Sequence, residues 1–360
     1  MLSIRRWSAV AGGVAVLVAL PAAVAAWPVS QSKISAPDLL ARIRGSASVP
    51  YSGYAESFGG LSLPVTRQFS TVTDLFGQTT QMRAWFRGAK DWRVDTITVA
   101  GETDVHAGPT GTWSWSFEDN RATWTAGAFD PAVRLPTAAD LLPTSLGRRL
   151  LSEATPGEVH RLGNRRVAGR SAPGLELVPN VVGSTIQRVD VWADQRTGLP
   201  LRVDVYGDGT NVMSSRFLDF STGRPSPHDT AFSPPPTARV QMLGEPDIAA
   251  EIDQFGDATA PAVLAGVRRN PQLPAFGAIG VYGSGVTEFA AAPLPGRTAF
   301  SLARQLHGTA VKTKYGLTVT IGPLSLLLTD PELPGRSWLL TGTVTPDLLE
   351  AAATQLVGVP

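Results

Sequence analysis

The sequence contains no cysteine and only four histidines, which excludes most metal-binding and catalytic sites. Cysteine is missing from all 360 residues, which excludes disulfides, thiolate catalysis and every cysteine-based zinc or iron–sulfur site. The four histidines are His106, His160, His228 and His307, and none has the spacing of a metal-binding or catalytic motif. The sequence therefore predicts no metal, no cofactor and no catalytic residue.

Short patterns that resemble catalytic motifs are incomplete. Gly283-Ser284-Gly285 lacks the full Gly-x-Ser-x-Gly of a nucleophile elbow, and no phosphate-binding helix follows Gly59-Gly60, so we interpret both as turns. Asp104-Val105-His106 and His228-Asp229 lie beside turn residues, and we interpret each as an exposed loop pair. A non-enzymatic protein is favoured, with a hydrolase built on serine and histidine as the enzymatic alternative.

The chain also has almost no net charge. The formal value is +1, from 31 basic and 30 acidic residues, so the basic field that concentrates nucleic acid is absent. Nucleic acid is therefore not an expected partner. A length of 360 residues and a hydrophobic content of 43% are sufficient for two buried cores, and we expect two domains.

The N-terminus predicts export. Arg5 and Arg6 precede an uncharged stretch, Trp7–Ala26, which is near the length that spans a bilayer. The stretch ends in Ala23-Val24-Ala25-Ala26, small residues of the type that signal peptidase cleaves. Residues 1–26 are thus a cleaved signal peptide or a retained membrane anchor. Both alternatives place the rest of the chain in the periplasmic or extracytoplasmic space.

Residues 27–241 have the pattern of one antiparallel sheet with few helices. A capped amphipathic helix is predicted from Ser35 to Gly45, and a helical segment that Pro143 interrupts is predicted over 137–151. Alternating runs bounded by Gly, Asp and Asn predict strands joined by hairpins. The clearest runs are Gln81–Arg87, Asp91–Val99, Thr112–Phe117, Arg121–Thr125, Gln187–Asp194, Leu199–Tyr206 and Asn211–Phe220. So few helices cannot cover such a sheet, and we expect a partly filled concave face.

Proline and acidic residues then mark a boundary. We place a linker at 242–262 and a second, smaller α+β domain at 263–360. Its helices are predicted at 298–306 and 348–356, the latter capped by Thr345. Its candidate strands are Ala278–Tyr282, Val286–Ala291, Leu317–Ile321, Leu324–Thr329 and Ser337–Val344. We expect this domain to bind a partner, the alternative being that it packs on the first domain and stabilises it.

Aromatic residues concentrate on one predicted strand. Trp113, Trp115 and Phe117 alternate with small polar residues and therefore share one strand face. We expect neighbouring strands and the interrupted helix to extend that face into a cavity for an apolar ligand. The candidate cavity residues are Met82, Phe86, Trp92, Trp113, Trp115, Phe117, Trp124, Leu142 and Leu146. An ordinary sheet core is the alternative.

Two other tryptophans have the opposite alternation. Trp85 and Trp192 lie among arginines and aspartates, on the strand face that the aromatic run does not use. A surface contact with a partner or a membrane explains them, and so does packing under a loop. The sequence leaves both explanations open.

A hairpin in the first domain resembles that of a known family. Val189-Asp190-Val191-Trp192-Ala193-Asp194, followed by residues 197–205, looks like the hairpin signature of the MucB/RseB branch of the LolA-like lipoprotein-carrier superfamily. Residues 231–240 are similar to the closing motif of the same superfamily. The resemblance implies an α+β fold in which an antiparallel β half-barrel is plugged by helices and holds acyl chains on its concave side, without a cofactor.

The same resemblance implies a function. In the RseB-like branch a small second domain follows, and the pair senses envelope material and binds a membrane-bound anti-sigma factor. The two-domain layout matches that branch better than a single-domain carrier. The implied protein is a non-enzymatic envelope sensor or regulator that binds a lipid or acyl-chain ligand and a membrane protein such as an anti-sigma factor. The alternative is a lipid or lipoprotein carrier of the cell envelope.

Overall fold

A computed structural model describes residues 32–59, 77–98, 101–127, 136–244, 259–271 and 278–357. The predicted signal or anchor segment 1–26 lies outside this part of the chain, as do Gly60, Val99 and most of the predicted linker. Among the described residues, no helix has the length and apolar character needed to cross a membrane.

The larger of two main sheets has twelve strands. They follow the order β12-β6-β5-β4-β3-β2-β1-β11-β10-β9-β8-β7. The strands are β1 (Tyr51–Gly59), β2 (Thr79–Gly88), β3 (Asp91–Thr98), β4 (Gly101–Gly108), β5 (Gly111–Ser116), β6 (Arg121–Ala126), β7 (Val159–Val167), β8 (Arg170–Leu177), β9 (Ile186–Ala193), β10 (Pro200–Gly207), β11 (Thr210–Ser221) and β12 (Arg239–Leu243). Only the edge pairing of β12 with β6 is parallel among the described ladders of this sheet. The expected α+β class with an open, mostly antiparallel sheet is confirmed.

Local hairpins build most of this sheet. Strands β2 to β6 and β7 to β11 each follow one another in space as in sequence, and β1 lies between β2 and β11. Asn120, Gly198, Asp208 and Gly209 have positive φ in three of the predicted turns, as tight connections require. The sheet therefore consists of two meanders joined by β1.

Gly198→Ala is expected to destabilise the protein more than Gly169→Ala. Both glycines have left-handed φ, +76° and +73°, a conformation that costs alanine about 1 kcal/mol. At Gly198 the added Cβ would also lie 2.4 Å from the carbonyl oxygen of Arg42, whereas at Gly169 it meets nothing within 4 Å. Urea unfolding should show an extra loss of at least about 1 kcal/mol for Gly198→Ala. Equal losses would mean that Arg42 moves aside at no cost.

Three helices cover one face of the large sheet, which we call the helix face. They are α1 (Ala36–Arg44), α2 (Ala138–Leu141) and α3 (Pro143–Leu150). Ser35 caps α1 by accepting a hydrogen bond from the Asp38 N–H, and the predicted interruption occurs at Leu142, because the residue before a proline avoids the helical region. The helices and the sheet bury one continuous core, which includes Leu39, Ile43, Met82, Leu141, Leu151, Leu175, Leu199, Leu201 and Phe217.

The second unit is smaller and also α+β. Its six-stranded sheet has the order β15-β16-β20-β19-β18-β17, beside a two-stranded ladder of β13 and β14. The strands are β13 (Val263–Leu264), β14 (Val267–Arg268), β15 (Gly280–Ser284), β16 (Thr287–Leu294), β17 (Val311–Lys312), β18 (Gly316–Ile321), β19 (Leu324–Thr329) and β20 (Ser337–Gly342). Two helices of this unit lie at Gly296–Leu306 and Pro346–Leu356, where the sequence predicts them. Of the predicted turn Gly283-Ser284-Gly285, the first two residues end β15 and only Gly285 lies in the turn that leads to β16.

Main-chain hydrogen bonds join the two units. Thr185 N–H donates to the Thr343 carbonyl at 3.1 Å, and Thr345 N–H donates to the Gly183 carbonyl at 2.8 Å. Ser184 and Val344 thereby form an antiparallel bridge. The loop between β8 and β9 therefore adds to the second unit as a short strand would. That residues 263–360 are a separate domain stays a prediction.

Candidate functional site

The face of the large sheet opposite the helices carries both tryptophans and charges. Trp85, Arg93, His106, Trp113 and Trp124 are paired directly across β2 to β6. Directly paired residues point to the same side of a sheet, so these five side chains share one face. We call it the charged face, because it also carries six charged residues, Arg83, Asp95, Asp104, Arg202, Asp204 and Arg216. Trp115 lies on the same face.

Met82, Phe86 and Trp92 lie on the helix face instead. Phe86 pairs with Trp92, and all three pack with the core under the helices. The expectation that they extend the face of Trp113 is wrong, because Trp85 and not Phe86 is in register with the row that reaches Trp113. Of the other candidates, Leu142 is buried and Leu146 half-buried in the helix-face core, and Phe117 is 69% exposed just after β5.

Phe232 occupies the centre of the tryptophan cluster. Its ring centroid lies 4.8 Å from His106, 5.8 Å from Trp113 and 6.1 Å from Trp115. Trp113 also contacts Trp124, with 5.1 Å between the ring centroids. These distances are within the range of favourable aromatic pairs. The space that the sequence assigned to a ligand at these tryptophans is filled in this structure by the chain's own side chain.

Residues 222–238, which we call the strap, carry Phe232 across the charged face. A short helix, α4 (Pro227–Thr230), lies within it, and its Asp229 carboxylate accepts from the Ser226 N–H at 2.7 Å. Thr230 anchors the strap twice: its Oγ1 donates to Asp91 at 2.6 Å, and its carbonyl lies 3.0 Å from His106 Nδ1. His228-Asp229 is thus part of a helix cap and not of a loop. The strap fixes β12 at the sheet edge.

A buried ion network lies next to the tryptophan cluster. Asp95 is fully buried and accepts hydrogen bonds from Arg93 at 2.5 and 2.9 Å, while Arg93 also donates to Asp104 at 3.1 Å. Glu102 completes a group of three carboxylates close enough to share an ion. Arg83 and Arg93 already pair with this group. We therefore assign the network a structural role.

Asp104 and His106 are buried in β4, so their interpretation as an exposed loop pair is wrong. Burial and the neighbouring Asp95 carboxylate raise the pKa of Asp104 to about 7, against the opposing effect of Arg93. Burial lowers the pKa of His106, and the hydrogen bond to Thr230 opposes that shift. Near neutral pH, Asp104 therefore lies close to its titration midpoint, and the neutral form of His106 is favoured.

Asp104→Asn is expected to stabilise the protein at alkaline pH. Because the folded pKa of about 7 exceeds the unfolded value of about 3.9, protonated Asp104 stabilises the fold fully below pH 4. This contribution is lost as the pH rises through 7. Asparagine cannot ionise, so the variant should be more stable than the parent by about 1–2 kcal/mol at pH 8 after allowance for screening. The two proteins should be equally stable at pH 4 in urea unfolding, and a constant difference at both pH values would contradict the shift.

Trp85 and Trp192 pack under arginine side chains. The Arg93 guanidinium lies 5.0 Å from the ring centroid of Trp85, and that of Arg165 lies 4.3 Å from the ring centroid of Trp192. Trp192 is buried, and its Nε1–H donates to the Gly163 carbonyl at 3.1 Å. Of the two explanations for Trp192, internal packing is confirmed.

The described helices do not extend over the whole helix face. Phe86 and Trp92 are half-buried where the helical cover ends. Tyr51 stacks on Phe86 with 5.4 Å between centroids, and its hydroxyl is hydrogen-bonded to Thr144 of α3 at 2.7 Å. On β4 to β6 this face continues with half-buried small residues, namely Val105, Ala107, Thr112, Ser114, Thr123 and Thr125. Within the described part of the chain, Phe86 and Trp92 thus form an aromatic margin beside the helices, and the face beyond them carries small residues, four of which have hydroxyl groups.

The described residues thus form an open, mostly antiparallel sheet with helices packed on one face, which is the α+β architecture that the sequence resemblance implies. Residues 132–235 match the family model described as MucB/RseB N-terminal domain. This stretch includes α2, α3, strands β7 to β11 and Phe232. Over residues 132–235 the chain is therefore similar to the family that its hairpin motif indicated.

Several solved structures are similar to the chain. The Pseudomonas aeruginosa MucA/MucB complex has 18% identity and a TM-score of 0.48, and the match covers 88% of this chain and 96% of that one. MucB in complex with MucA(peri) has 18% identity and a TM-score of 0.48, with coverage of 88% and 97%. A LolA superfamily protein from Nitrosomonas europaea has 11% identity and a TM-score of 0.24, with coverage of 55% and 98%. No curated protein matches the sequence significantly. The similarity to the MucB/RseB family rests on residues 132–235 and not on these structures, whose TM-scores are below 0.5.

Proposed function

We propose that this protein is an extracytoplasmic regulator of the MucB/RseB kind, which binds a membrane-bound, anti-sigma-like partner and a lipid-type ligand. The observation that carries the proposal is the match of residues 132–235 to the MucB/RseB domain. Two of the solved MucB structures are complexes with MucA. MucB/RseB and LolA-like proteins are non-enzymatic binding proteins, and we extend that property to this chain. Arg5, Arg6 and the uncharged stretch after them support export, with residues 1–26 cleaved or kept as an anchor.

A cleft at the junction of the two units supports partner binding. Its volume is about 400 Å³, and its lining includes Val182, Arg268, Arg269 and Leu348. Val182 is 97% exposed, although a valine normally avoids water. An exposed apolar residue beside two arginines suits an extended segment that carries apolar and acidic side chains. We place the contact with the membrane-bound partner here.

Val182→Asp is expected to weaken capture of this partner without affecting the fold. The side chain contributes nothing to a core, so its replacement should change stability by less than about 0.5 kcal/mol. An aspartate beside the arginines would compete with an acidic partner segment for them. The measurement is a pull-down from detergent-solubilised membranes. Val311→Asp is the matched control, because Val311 is also an exposed valine, at 70% exposure, and lies in the second unit away from the cleft lining. Equal capture by both variants would contradict the placement of the partner.

The carrier alternative makes a different prediction for truncation. A chain that ends after Gly244 keeps the large sheet, the strap and β12, so a carrier should still deliver its ligand. A regulator should lose its membrane partner on this truncation while it still binds lipid. If the truncated protein captures the same partners as the full chain, the regulator proposal gives way to the carrier.

A further inference from the structure

Arg148 places a positive charge where α3 faces the large sheet. Thr144 and Arg148 are four residues apart and therefore lie on the same side of the helix. Thr144 Oγ1 is hydrogen-bonded to the Tyr51 hydroxyl at 2.7 Å, and Tyr51 stacks on Phe86 and Phe220, with centroids 5.4 and 5.9 Å away. The guanidinium thus lies near an aromatic cluster of the helix face.

The Arg148 guanidinium has no partner within the described residues. Its Nη1 atom is shielded from solvent and has no hydrogen-bond acceptor, whereas Arg93, Arg202 and Arg216 on the charged face each pair with a carboxylate. Burial lowers the pKa of Arg148, and only its interaction with Tyr51 opposes that shift. A partly buried charge destabilises a fold when no hydrogen bond replaces the hydration that its shielded atoms lose.

The position of Arg148 on the helix does not explain this cost. A cation in the last turn of a helix interacts favourably with the helix dipole, but Arg149 lies in the same turn and is exposed. Arg149 supplies that interaction without any burial. The charge of Arg148 therefore serves something other than the stability of α3.

We propose that Arg148 binds the anionic group, a carboxylate or a phosphate, of an amphiphile whose acyl chain lies on the helix face beside Tyr51, Phe86 and Trp92. This proposal rests on the lipid-type ligand of the proposed function and names its chemical class. A guanidinium recognises carboxylates and phosphates through two parallel hydrogen bonds. The side chain of Arg148 remains partly accessible to solvent, which leaves the ligand a route to it.

Titration of the full-length protein with oleate and with oleyl alcohol tests this proposal. The two probes share a chain length and differ in charge, so their affinity ratio reports the anion site alone. Tryptophan fluorescence at pH 8 should show oleate binding at least about tenfold more tightly to the parent. Arg148→Gln should abolish this preference through a loss of oleate affinity, whereas the control Arg149→Gln should keep it. Arg148→Lys, which retains the charge, should keep part of it.

The outcomes separate this proposal from the proposed function. If oleate and oleyl alcohol bind the parent equally well, the role of Arg148 is overturned while lipid binding stands. If neither probe binds the parent, the proposal of a lipid-type ligand is overturned, and the proposed role of Arg148 is overturned with it. Displacement of oleate by millimolar inorganic phosphate would show that Arg148 binds a free anion, and the proposal of an amphiphilic ligand would be overturned.

A second measurement excludes a purely structural role. Because ligand-free Arg148 is unpaired, Arg148→Gln should have a thermal midpoint equal to or above that of the parent, and oleate should raise the midpoint of the parent more than that of the variant. A lower midpoint for the ligand-free variant would show that the guanidinium stabilises the fold, and the proposal would be overturned.

Discussion

Replacement of Trp92 by aspartate is expected to abolish retention of lipid by the purified protein. Trp92 is half-buried at the margin of the helix face, in register with Phe86. A carboxylate in an apolar site costs several kcal/mol unless it is neutralised or paired. A cost of about 3 kcal/mol corresponds to a loss of more than a hundredfold in affinity. Mass spectrometry of lipids extracted from equal amounts of protein measures the effect.

Trp124→Asp is the matched control for this experiment. Trp124 is also half-buried in the large sheet, but it lies on the charged face beside Trp113. If the ligand lies on the helix face, this variant keeps its lipid. Circular dichroism establishes that both variants are folded. Lipid loss by Trp124→Asp alone would move the ligand to the tryptophan cluster, and full retention by Trp92→Asp would refute the helix-face site.

Phe232→Ala is expected to destabilise the protein by about 2–3 kcal/mol. The phenyl ring fills the space between His106, Trp113 and Trp115, and its removal leaves a gap that three ring systems cannot close. The figure is below that of a fully buried phenylalanine because Phe232 is half-buried. Guanidinium unfolding gives the loss, and the change in tryptophan emission reports the release of the strap.

Phe117→Ala provides the control for the Phe232 prediction. Phe117 is 69% exposed just beyond β5, so truncation should cost less than about 0.5 kcal/mol. Equal losses for the two variants would mean that the ring of Phe232 does not hold the strap. A loss confined to Phe232→Ala would establish that the closing segment stabilises the edge of the sheet from outside the helix-face core.

Local signals allowed much of the fold to be predicted from the sequence. The helix at Ser35, the interruption at Pro143 and the turns at Asn120 and Gly198 depend on residues within a few positions of one another. The two helices of the second unit and five of its eight described strands, β15, β16, β18, β19 and β20, were predicted for the same reason. Such features are visible in a sequence because their causes are local.

Strand β4 was missed because its cause is not local. Asp104 and His106 are polar at the positions where a strand buries its side chains, and their partners are Arg93 and Thr230. A sequence pattern shows the polar residues but not the distant groups that satisfy them. Strands β7 and β8 also escaped prediction, since the sequence of β7 contains four charged or amide residues and a glycine between its terminal valines.

The candidate site was predicted only in part. Alternation placed Trp113 and Trp115 together correctly, because the period of a strand is a local property. It wrongly assigned Met82 and Phe86 to that face, since the relation depends on the register of β3 and of β4, which was not predicted. Nor did it show Phe232 in the cluster, because Phe232 lies more than a hundred residues further along the chain.

The position of β1 between the two meanders has a consequence for how the chain folds. Each meander forms from contacts between neighbouring hairpins, but β1 must pair with β11, as in the hydrogen bond between Arg216 and Glu56, which are 160 residues apart. Closing so long a loop makes this a late and slow step. Until it occurs, β1 and β11 present unpaired edges, which are templates for pairing with other chains. During synthesis, the large sheet can therefore become continuous, and resist aggregation, only after the chain has been made as far as residue 221, where β11 ends.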